Sequence, residues 1–346
     1  MEVIEFSDPE ILAKLLERHI QSAHINFLFG SGASMPAIQL AGTVEREIDT
    51  LLARSDNDGA NIKALEFIEE LERQHAALSH APLSTPVETT RNNYAGLLKS
   101  IDRILFERKN ILLPRQANMF TTNYDEFFET AASSLPTLLL NDGFNRRVGS
   151  SEFEFEPELY FDRLYRSGTV YQHQSEVPTI NLIKMHGSIS WKRQTDRKVV
   201  FGTPETVPLT PIERLNANRV RQALSNRAVI LPNMRKFEST LLDRVYFDLL
   251  RLYSNALEVE NALLFVFGFS FADEHILDIT KRGLRNPTAK IVIFAYSAGG
   301  SIDFEAKFSA HRNVLIIKPE VGSHLGFTEL NSIFDLIGRN TETIYD

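Results

Sequence analysis

The segment INFLFGSGAS, residues 25–34, decides how the fold of this chain is interpreted. An apolar run at residues 25–29 is followed at once by two glycines, which is typical of a buried strand that enters a tight turn. A turn of this kind can present backbone N–H groups and a helix N-terminus to an anion. The three-glycine fingerprint of dinucleotide-binding proteins is incomplete, because Met35 stands where its last glycine would be. A tight strand-to-helix turn without a ligand therefore stays open at this point.

Five further apolar segments predict the remaining core. They are expected to hold strands and the turns that follow them, at residues 117–125, 180–188, 228–232, 262–270 and 290–317. Because helical patterns separate most of these segments, the sequence predicts an α/β fold with a Rossmann-like parallel sheet of about six strands, covered on both faces. Residues 44–115 are predicted to form a helical insertion, and residues 1–346 a single domain. Ligands of such sheets bind at the carboxyl ends of the strands.

The composition excludes several classes of site. The 346 residues contain no cysteine, which rules out disulfides, thiolate zinc sites, iron–sulfur clusters and cysteine nucleophiles. We therefore expect no metal site. The formal net charge of −8 gives no overall attraction to phosphate backbones, so direct binding of nucleic acid is not expected.

The sequence also carries no sign of a secretory or membrane protein. The first eight residues are acidic and lack the basic segment of a signal peptide. The longest strongly apolar stretch, residues 262–269, is less than half of the roughly 20 residues that a membrane helix needs. A soluble, cytoplasmic protein without membrane contact is the resulting expectation.

Two candidate functional residues follow predicted strands. Asn123 lies in TTNYD, residues 121–125, where it can present its amide to a hydroxyl or a water while Asp125 accepts from a ligand amide. An N-cap with a capping box to Glu126 explains Asn123 equally well. His186 lies in KMHGS, residues 184–188, where an imidazole can act as a general base near neutral pH. A lone histidine at a strand end is nevertheless often structural.

The segment GFSFADEH, residues 268–275, is a third candidate. It differs by one residue from the serine-hydrolase elbow, and Asp303 and His311 or His324 follow in the order of a triad. Against a hydrolase, no oxyanion segment of the HGGG type precedes it. In the preferred interpretation Gly268 allows close approach of a ligand and Ser270 binds phosphate or ribose, while Asp273 caps the next helix.

A basic run lies between residues 212 and 236. It contains six arginines and lysines against the single acid Glu213. Such a run is most often a solvated helix face, with a partner contact as the second interpretation and nucleic acid as the third.

Together, four motifs resemble those of the sirtuin fold. They are GSGAS at residues 30–34, TTNYD at 121–125, KMHGS at 184–188 and GFSFADEHI at 268–276. The likeness extends from residue 25 to about residue 320 and is similar to the bacterial sirtuin-like NADases of antiphage defence. It implies NAD as the ligand, Asn123 and His186 as the catalytic pair, and Asp125 facing the nicotinamide amide. The residues expected to bind the cofactor are then Gly30, Ser31, Gly32, Ala33, Ser34, Asp125, Gly268 and Ser270.

The departures from the sirtuin pattern concern protein deacetylation. Deacetylases of this fold generally carry a four-cysteine zinc module, which a chain without cysteine cannot build. Their Asp-Phe-Arg element after the glycine turn is replaced here by residues 35–39, MPAIQ. Both losses favour water as the acceptor, and hence a zinc-free NAD⁺ glycohydrolase that yields nicotinamide and ADP-ribose. A catalytically silent NAD or ADP-ribose binding module, or an NAD-dependent deacetylase or ADP-ribosyltransferase, are the alternatives.

The resemblance also implies regulation. An active NADase depletes the cofactor of its own cell, so we expect the isolated chain to be restrained until assembly or a partner activates it. The family suggests a homo-oligomer and a separately encoded HerA-type ATPase as the partner.

Overall fold

A computed structural model of the chain describes residues 1–38, 42–78, 83–150, 152–168, 174–195, 198–202, 209–225, 227–229 and 244–340. Its strands are β1 (Glu2–Phe6), β2 (His24–Phe29), β3 (Gln116–Thr121), β4 (Leu139–Asn141), β5 (Phe144–Asn145), β6 (Glu154–Phe155), β7 (Tyr165–Ser167), β8 (Gln174–Glu176), β9 (Thr179–Lys184), β10 (Gly187–Thr195), β11 (Lys198–Phe201), β12 (Arg227–Val229), β13 (Ala262–Phe267), β14 (Lys290–Phe294) and β15 (Val314–Pro319).

Helices connect and cover these strands. The helices of the described residues are α1 (Pro9–Gln21), α2 (Gly42–Ala53), α3 (Asn57–Leu78), α4 (Thr85–Phe106), α5 (Phe127–Ser133), α6 (Pro211–Arg214), α7 (Ala217–Ser225), α8 (Arg244–Glu258), α9 (Glu274–Gly283), α10 (Ala298–Phe308) and α11 (Phe327–Asn340). Short 3₁₀ helices occupy Ser31–Ser34 and Pro157–Phe161. Within the part of the chain described here, no helix is both long and apolar enough to cross a membrane.

The central sheet confirms the predicted α/β fold. Eight strands run parallel in the order β1-β15-β14-β13-β2-β3-β9-β4. Strand β2 illustrates why both faces are covered: Phe27 and Phe29 enter one buried cluster and Leu28 enters the other. Helices α1, α4, α5 and α11 supply the first cluster, and α8, α9 and α10 the second. Side chains alternate across a strand, so a parallel sheet between two helical layers is apolar on both sides.

The strand expected at 228–232 was placed in the wrong sheet. Arg227–Val229 forms β12, which pairs antiparallel with β10 in a second, five-stranded sheet of order β12-β10-β11-β6-β5, and residues 230–232 lie outside the described residues. The parallel sheet has eight strands instead of about six, because β1 and β4 extend its two edges. Strand β1 contains Glu2 and Glu5, and β4 has only three residues, so neither shows the apolar run that identifies a central strand.

The region predicted as a helical insertion, 44–115, divides into two parts. Helices α2 and α3 pack on each other through a small cluster that contains Ile48 and Ala64. Helix α4, in contrast, belongs to the core, where Leu97 and Ile101 are fully buried beside α11. Helical periodicity shows that a segment is a helix but not which surface its apolar face meets, so the sequence could not separate the two parts.

Arginines of the basic run form ion pairs with helix α3 of this insertion. Arg227 binds Glu72 through two guanidinium N–H groups, and its side chain is only 4% exposed. Arg214 pairs with Glu69 on the same helix α3, and Arg221 pairs with Asp58. These three arginines are thus held by acids of α3. Arg235 and Lys236, the last two basic residues of the run, lie outside the described residues.

Candidate functional site

The glycine turn after β2 forms one turn of 3₁₀ helix at Ser31–Ser34 and does not start an α-helix. The expectation of a helix N-terminus at this position was therefore wrong. Three of the backbone N–H groups expected to face an anion are already used, because those of Gly30, Gly32 and Ala33 donate to the carbonyl oxygens of Phe267, Gly268 and Gly30. Binding of phosphate by this turn stays a prediction, with fewer backbone donors than the sequence suggested.

The two glycine loops need their glycines for contact with each other. A Cβ added to Gly30 would lie 2.5 Å from the carbonyl oxygen of Gly268. Gly268 has a positive φ of 64°, and its Cβ would lie 2.4 Å from the backbone nitrogen of Ala33. Both distances are too short for a side chain, so the turn after β2 and the loop after β13 pack backbone against backbone. The close ligand approach expected of Gly268 is untested.

Ser34 connects the predicted site residues. Its Oγ donates to Oδ2 of Asp125 at 2.7 Å and accepts from Nδ2 of Asn123 at 3.0 Å. The hydroxyl of Tyr94 on α4 lies 3.1 Å away. A serine hydroxyl has one hydrogen and two lone pairs, and because an ionised Asp125 can only accept, Tyr94 donates the remaining bond. All four side chains are at least nine-tenths buried.

Asn123 does not cap α5. That helix begins at Phe127, with Glu126 at the N-cap position. The amide nitrogen of Asn123 instead donates to the carbonyl oxygen of Gly30, at 3.0 Å, and to Ser34. Because both of its N–H groups are used in this way, its carbonyl oxygen is the atom oriented to accept from a ligand hydroxyl or a water.

Asp125 and the residues beneath it form a buried ionic cluster. Burial raises the pKa of Asp125, while the positive charge of Lys184 and the Ser34 hydroxyl act to lower it. The Lys184 ammonium, 2% exposed, donates to the Asp125 carbonyl oxygen (2.5 Å), to Ser188 Oγ (2.8 Å) and to Glu129 Oε1 (2.7 Å). Burial is also the main reason why the pKa of Glu129 rises to about 7. Neither Lys184 nor Glu129 was identified as part of the site from the sequence.

His186 lies where the two large sheets meet. It stands between the end of β9 in the parallel sheet and the start of β10 in the antiparallel sheet. The bend requires Gly187, whose φ is +82° and whose Cβ would lie 2.0 Å from the carbonyl oxygen of Ala228. His186 is 7% exposed. The centroid of its ring lies 6.3 Å from that of Tyr124, the residue between Asn123 and Asp125 in the sequence. The structure thus brings His186 and the TTNYD segment to one place.

Asp273 orients His186. Its Oδ1 accepts the N–H groups of His275 and Ile276 at the start of α9, which confirms the predicted cap. Its Oδ2 lies 3.2 Å from Nε2 of His186. A neutral imidazole that donates this bond carries its proton on Nε2. Sequence analysis found the cap but missed the contact with His186, because nothing local in the sequence links two residues so far apart.

Replacing Asp273 with asparagine should lower kcat by about 10- to 100-fold. This is a part of the 10²–10⁴-fold rate enhancement that a general base contributes. The amide retains the shape and the N-cap but not the charge that stabilises a protonated His186. The kcat of the reaction proposed below is the measurement. Because asparagine caps as well as aspartate, the melting temperature should change little; an unchanged kcat would exclude an orienting role for Asp273.

Ser270 lies on the same loop as Asp273 and is exposed. The structure shows no hydrogen bond between its hydroxyl and a histidine among the described residues. The ring of His324 instead stacks on Tyr296 with centroids 4.5 Å apart, and His311 packs against Phe308. The geometry therefore gives no support to a serine-hydrolase triad, whereas a contact of Ser270 with phosphate or ribose stays a prediction.

A narrow cavity of about 10 Å³, which is room for about one water molecule, opens beside Asp125. Its walls are mainly apolar and are completed by α3, which contributes Leu71 and Gln74. The Oε1 atom of Gln74 is buried and has no hydrogen-bond partner among the described residues. The remaining lining residues are Ala37, Ile38, Val87, Phe127 and Ile189. Two residues that carry acceptor groups, Asp125 and Gln74, thus line an otherwise apolar space.

The described residues contain no group of three or more histidine, aspartate or glutamate side chains that could hold a metal ion.

The fold and the site define a Rossmann-like α/β protein whose functional loops converge at the carboxyl ends of β2, β3, β9 and β13. The SIR2-like domain family matches residues 117–317, more than half of the chain, and the chain belongs to this family. The family is part of an NAD-using enzyme superfamily. The matched range includes Asn123, Asp125, His186 and Asp273, and it begins after the glycine turn. No curated protein matches the chain significantly.

Proposed function

We propose that the chain is an NAD⁺ glycohydrolase that cleaves NAD into nicotinamide and ADP-ribose. The observation that carries the proposal is the narrow apolar cavity with two hydrogen-bond acceptors, the Asp125 carboxylate and Gln74 Oε1. A nicotinamide ring is flat and apolar, and its carboxamide nitrogen has two N–H groups to donate. Each of these N–H groups would find one acceptor in the cavity.

The reacting bond would then lie next to Asn123 and His186. In the proposed step the bond between the ribose carbon and nicotinamide breaks, and nicotinamide, which is cationic while attached, leaves with the electron pair. The carbonyl oxygen of Asn123 orients the attacking water or a ribose hydroxyl. The water oxygen bonds to the ribose carbon and its proton passes to Nδ1 of His186, while Asp273 stabilises the resulting imidazolium. Because the leaving group is already cationic, one base suffices and no strong acid is required.

Water is the proposed acceptor because the chain lacks two elements of sirtuin deacetylases. It has no cysteine for a zinc module, and residues 35–39 replace the Asp-Phe-Arg element. Helix α3 also lies over the site, where Phe67 and Leu71 pack against Tyr124. Helix α3 therefore covers the cavity beside Asp125.

The same covering helix supports the proposal that activity is gated. Leu71 and Gln74 narrow the cavity next to Asp125, so α3 must shift before a nicotinamide ring can enter fully. Assembly into a homo-oligomer, or binding of a HerA-type ATPase, would supply such a shift. A role as an NAD-depleting effector of antiphage defence completes this proposal and rests on the sequence resemblance alone.

The proposal predicts that the purified chain releases nicotinamide and ADP-ribose from NAD in equal amounts, without an added acceptor. Both products would be quantified by chromatography, for each oligomeric species separated by size exclusion. Binding of NAD without turnover in every assembly would indicate the silent binding module, and product that requires an acetylated peptide or another acceptor would indicate a transferase. A fully active monomer would contradict the gating proposal but not the hydrolase.

A further inference from the structure

A row of asparagines crosses the central sheet far from the candidate active site. Asn26 on β2 is the register partner of Asn118 on β3, and Asn118 is the register partner of Asn181 on β9. Asn141 on β4 continues the row. All lie on the sheet face that packs against α8, and faces between a parallel sheet and its helices are normally apolar. Four aligned amides at this place are unusual for a core.

The amides form a chain of hydrogen bonds. Asn141 donates to Asn181 at 3.0 Å, Asn181 to Asn118 at 2.9 Å, and Asn118 to Asn26 at 2.8 Å. Asn26 donates to the carbonyl oxygen of His24 at 3.1 Å. An amide offers two N–H groups and two lone pairs. Within the described hydrogen bonds, Asn118 and Asn181 each use one N–H group and one lone pair of the side-chain amide. Each therefore retains one N–H group and one lone pair.

Asn118 and Asn181 line a cleft of about 240 Å³ that is open to solvent, which we name the amide cleft. It lies between the sheet, α8 and the 3₁₀ helix Pro157–Phe161, and its polar lining residues include His24, Gln116, Asn118, Asn181 and Asn255. Pockets for drug-sized ligands measure roughly 300–1,000 Å³, so this volume suits a smaller ligand. Asn118 stands three residues, about 10 Å, before the carboxyl end of β3, whereas Phe120 and Ile183, which also line the cleft, stand one residue before the ends of β3 and β9.

The lining of the amide cleft is uncharged. No lysine, arginine, aspartate or glutamate is among its described lining residues. Burial lowers the pKa of His24, and the nearby charges of Arg108 and Arg163 act in the same direction, so this imidazole is neutral at pH 7. Phe161, which is 63% exposed, supplies an aromatic face at the cleft.

We infer that the amide cleft binds a neutral planar heterocycle whose edge carries a hydrogen-bond donor beside an acceptor, as nucleobases and nicotinamide do. The spare donors and acceptors of Asn118 and Asn181 pair with that edge, since a neutral amide satisfies both kinds of group at once. The ring stacks on Phe161, and Asn255 on α8 closes the opposite side. An uncharged lining selects the base itself and gives no partner for a phosphate.

Binding of adenine, uracil and nicotinamide to the full chain would test this inference by isothermal titration. We expect saturable binding of at least one of them, and the pattern distinguishes a nucleobase site from a nicotinamide site. Phe161→Ala should weaken binding about fivefold or more, because stacking of a base on an aromatic ring is lost. Asn255→Ala should weaken it as well; both side chains are exposed, so neither change threatens the fold.

Matched controls separate the amide cleft from other sites. Phe106 is 62% exposed on α4 and Asn92 is exposed on the same helix, so Phe106→Ala and Asn92→Ala should leave binding unchanged. Asp125→Asn, which alters the candidate active site, should also leave the binding of adenine and uracil unchanged. Absence of saturable binding would overturn the inference. Binding of adenine or uracil that is lost in Asp125→Asn and kept in Phe161→Ala would overturn it too, because the base would then occupy the cavity beside Asp125.

Discussion

Replacing His186 with alanine is expected to lower the rate of nicotinamide release from NAD by about 10²- to 10⁴-fold, which is the contribution of a general base. The variant loses the proposed acceptor of the proton of the attacking water, while the glycine turn, Asn123 and Asp125 retain their mutual hydrogen bonds. The loss should therefore appear in kcat at saturating NAD and much less in binding. The measurement is the steady-state rate of wild type and variant in the same oligomeric state.

Two controls make this result specific. His19 lies on α1 beside Lys290, and His19→Ala should retain the wild-type rate. The melting temperature and the affinity for NAD of His186→Ala show whether the fold and the binding site survive. If a folded variant that binds NAD hydrolyses it within threefold of the wild-type rate, His186 is not the base.

Asn123→Ala is a second test of the site, and its expected effects differ from those of His186→Ala. Its amide holds the carbonyl oxygen of Gly30 and the hydroxyl of Ser34, so the change also leaves two buried acceptors with fewer partners. An unsatisfied buried polar group costs about 1–3 kcal/mol. Asn123→Ala is therefore expected to lower both the rate and the stability, whereas His186→Ala lowers mainly the rate. Equal rates in wild type and both variants would reject the assignment of the site.

The sequence predicted which loops form the site because the topology of a parallel sheet determines where its strands end. An apolar run followed by glycine or polar residues identifies a strand that ends, and all strands of a parallel sheet end at the same edge. Asn123, His186 and Gly268 could therefore be placed together before any coordinate was known. The helical cover on both faces followed from the same apolar runs.

The contacts that hold the site could not be predicted in this way. Tyr94 reaches Ser34 across 60 residues, from a helix that the sequence assigned to an insertion. Asp273 shows a helix cap in its local sequence, but its second oxygen binds His186 only because two loops pack against each other. For the glycine turn, the sequence predicted more free backbone N–H groups than the structure has, because some of them donate to a neighbouring loop that no local pattern reveals. Tertiary contacts, not local propensity, decide these cases.

The second large effect concerns stability. Lys184→Met should lower the free energy of unfolding by about 3 kcal/mol, the lower end of the 3–5 kcal/mol for breaking a buried ion pair. The lower end applies because Glu129 keeps 19% of its side-chain exposure, whereas Lys184 keeps 2%. The loss also leaves the carbonyl oxygen of Asp125 and the hydroxyl of Ser188 without their shared donor. Chemical denaturation at pH 7 would measure it.

The pH dependence identifies the cause of that loss. In the wild type the pKa of Glu129 is raised from 4.5 to about 7, so the folded state retains a proton that the unfolded state releases, and stability falls as pH rises through this window. Without Lys184, whose charge lowers the pKa of Glu129, that pKa rises further and the fall continues above pH 7. The stability difference between wild type and Lys184→Met should therefore widen from pH 6 to pH 8. In the double variant with Glu129→Gln the difference should widen much less, because the carboxyl group with a pKa of about 7 is gone. A difference that is constant with pH in the single variant would mean that Lys184 acts through its hydrogen bonds and not through its charge on Glu129.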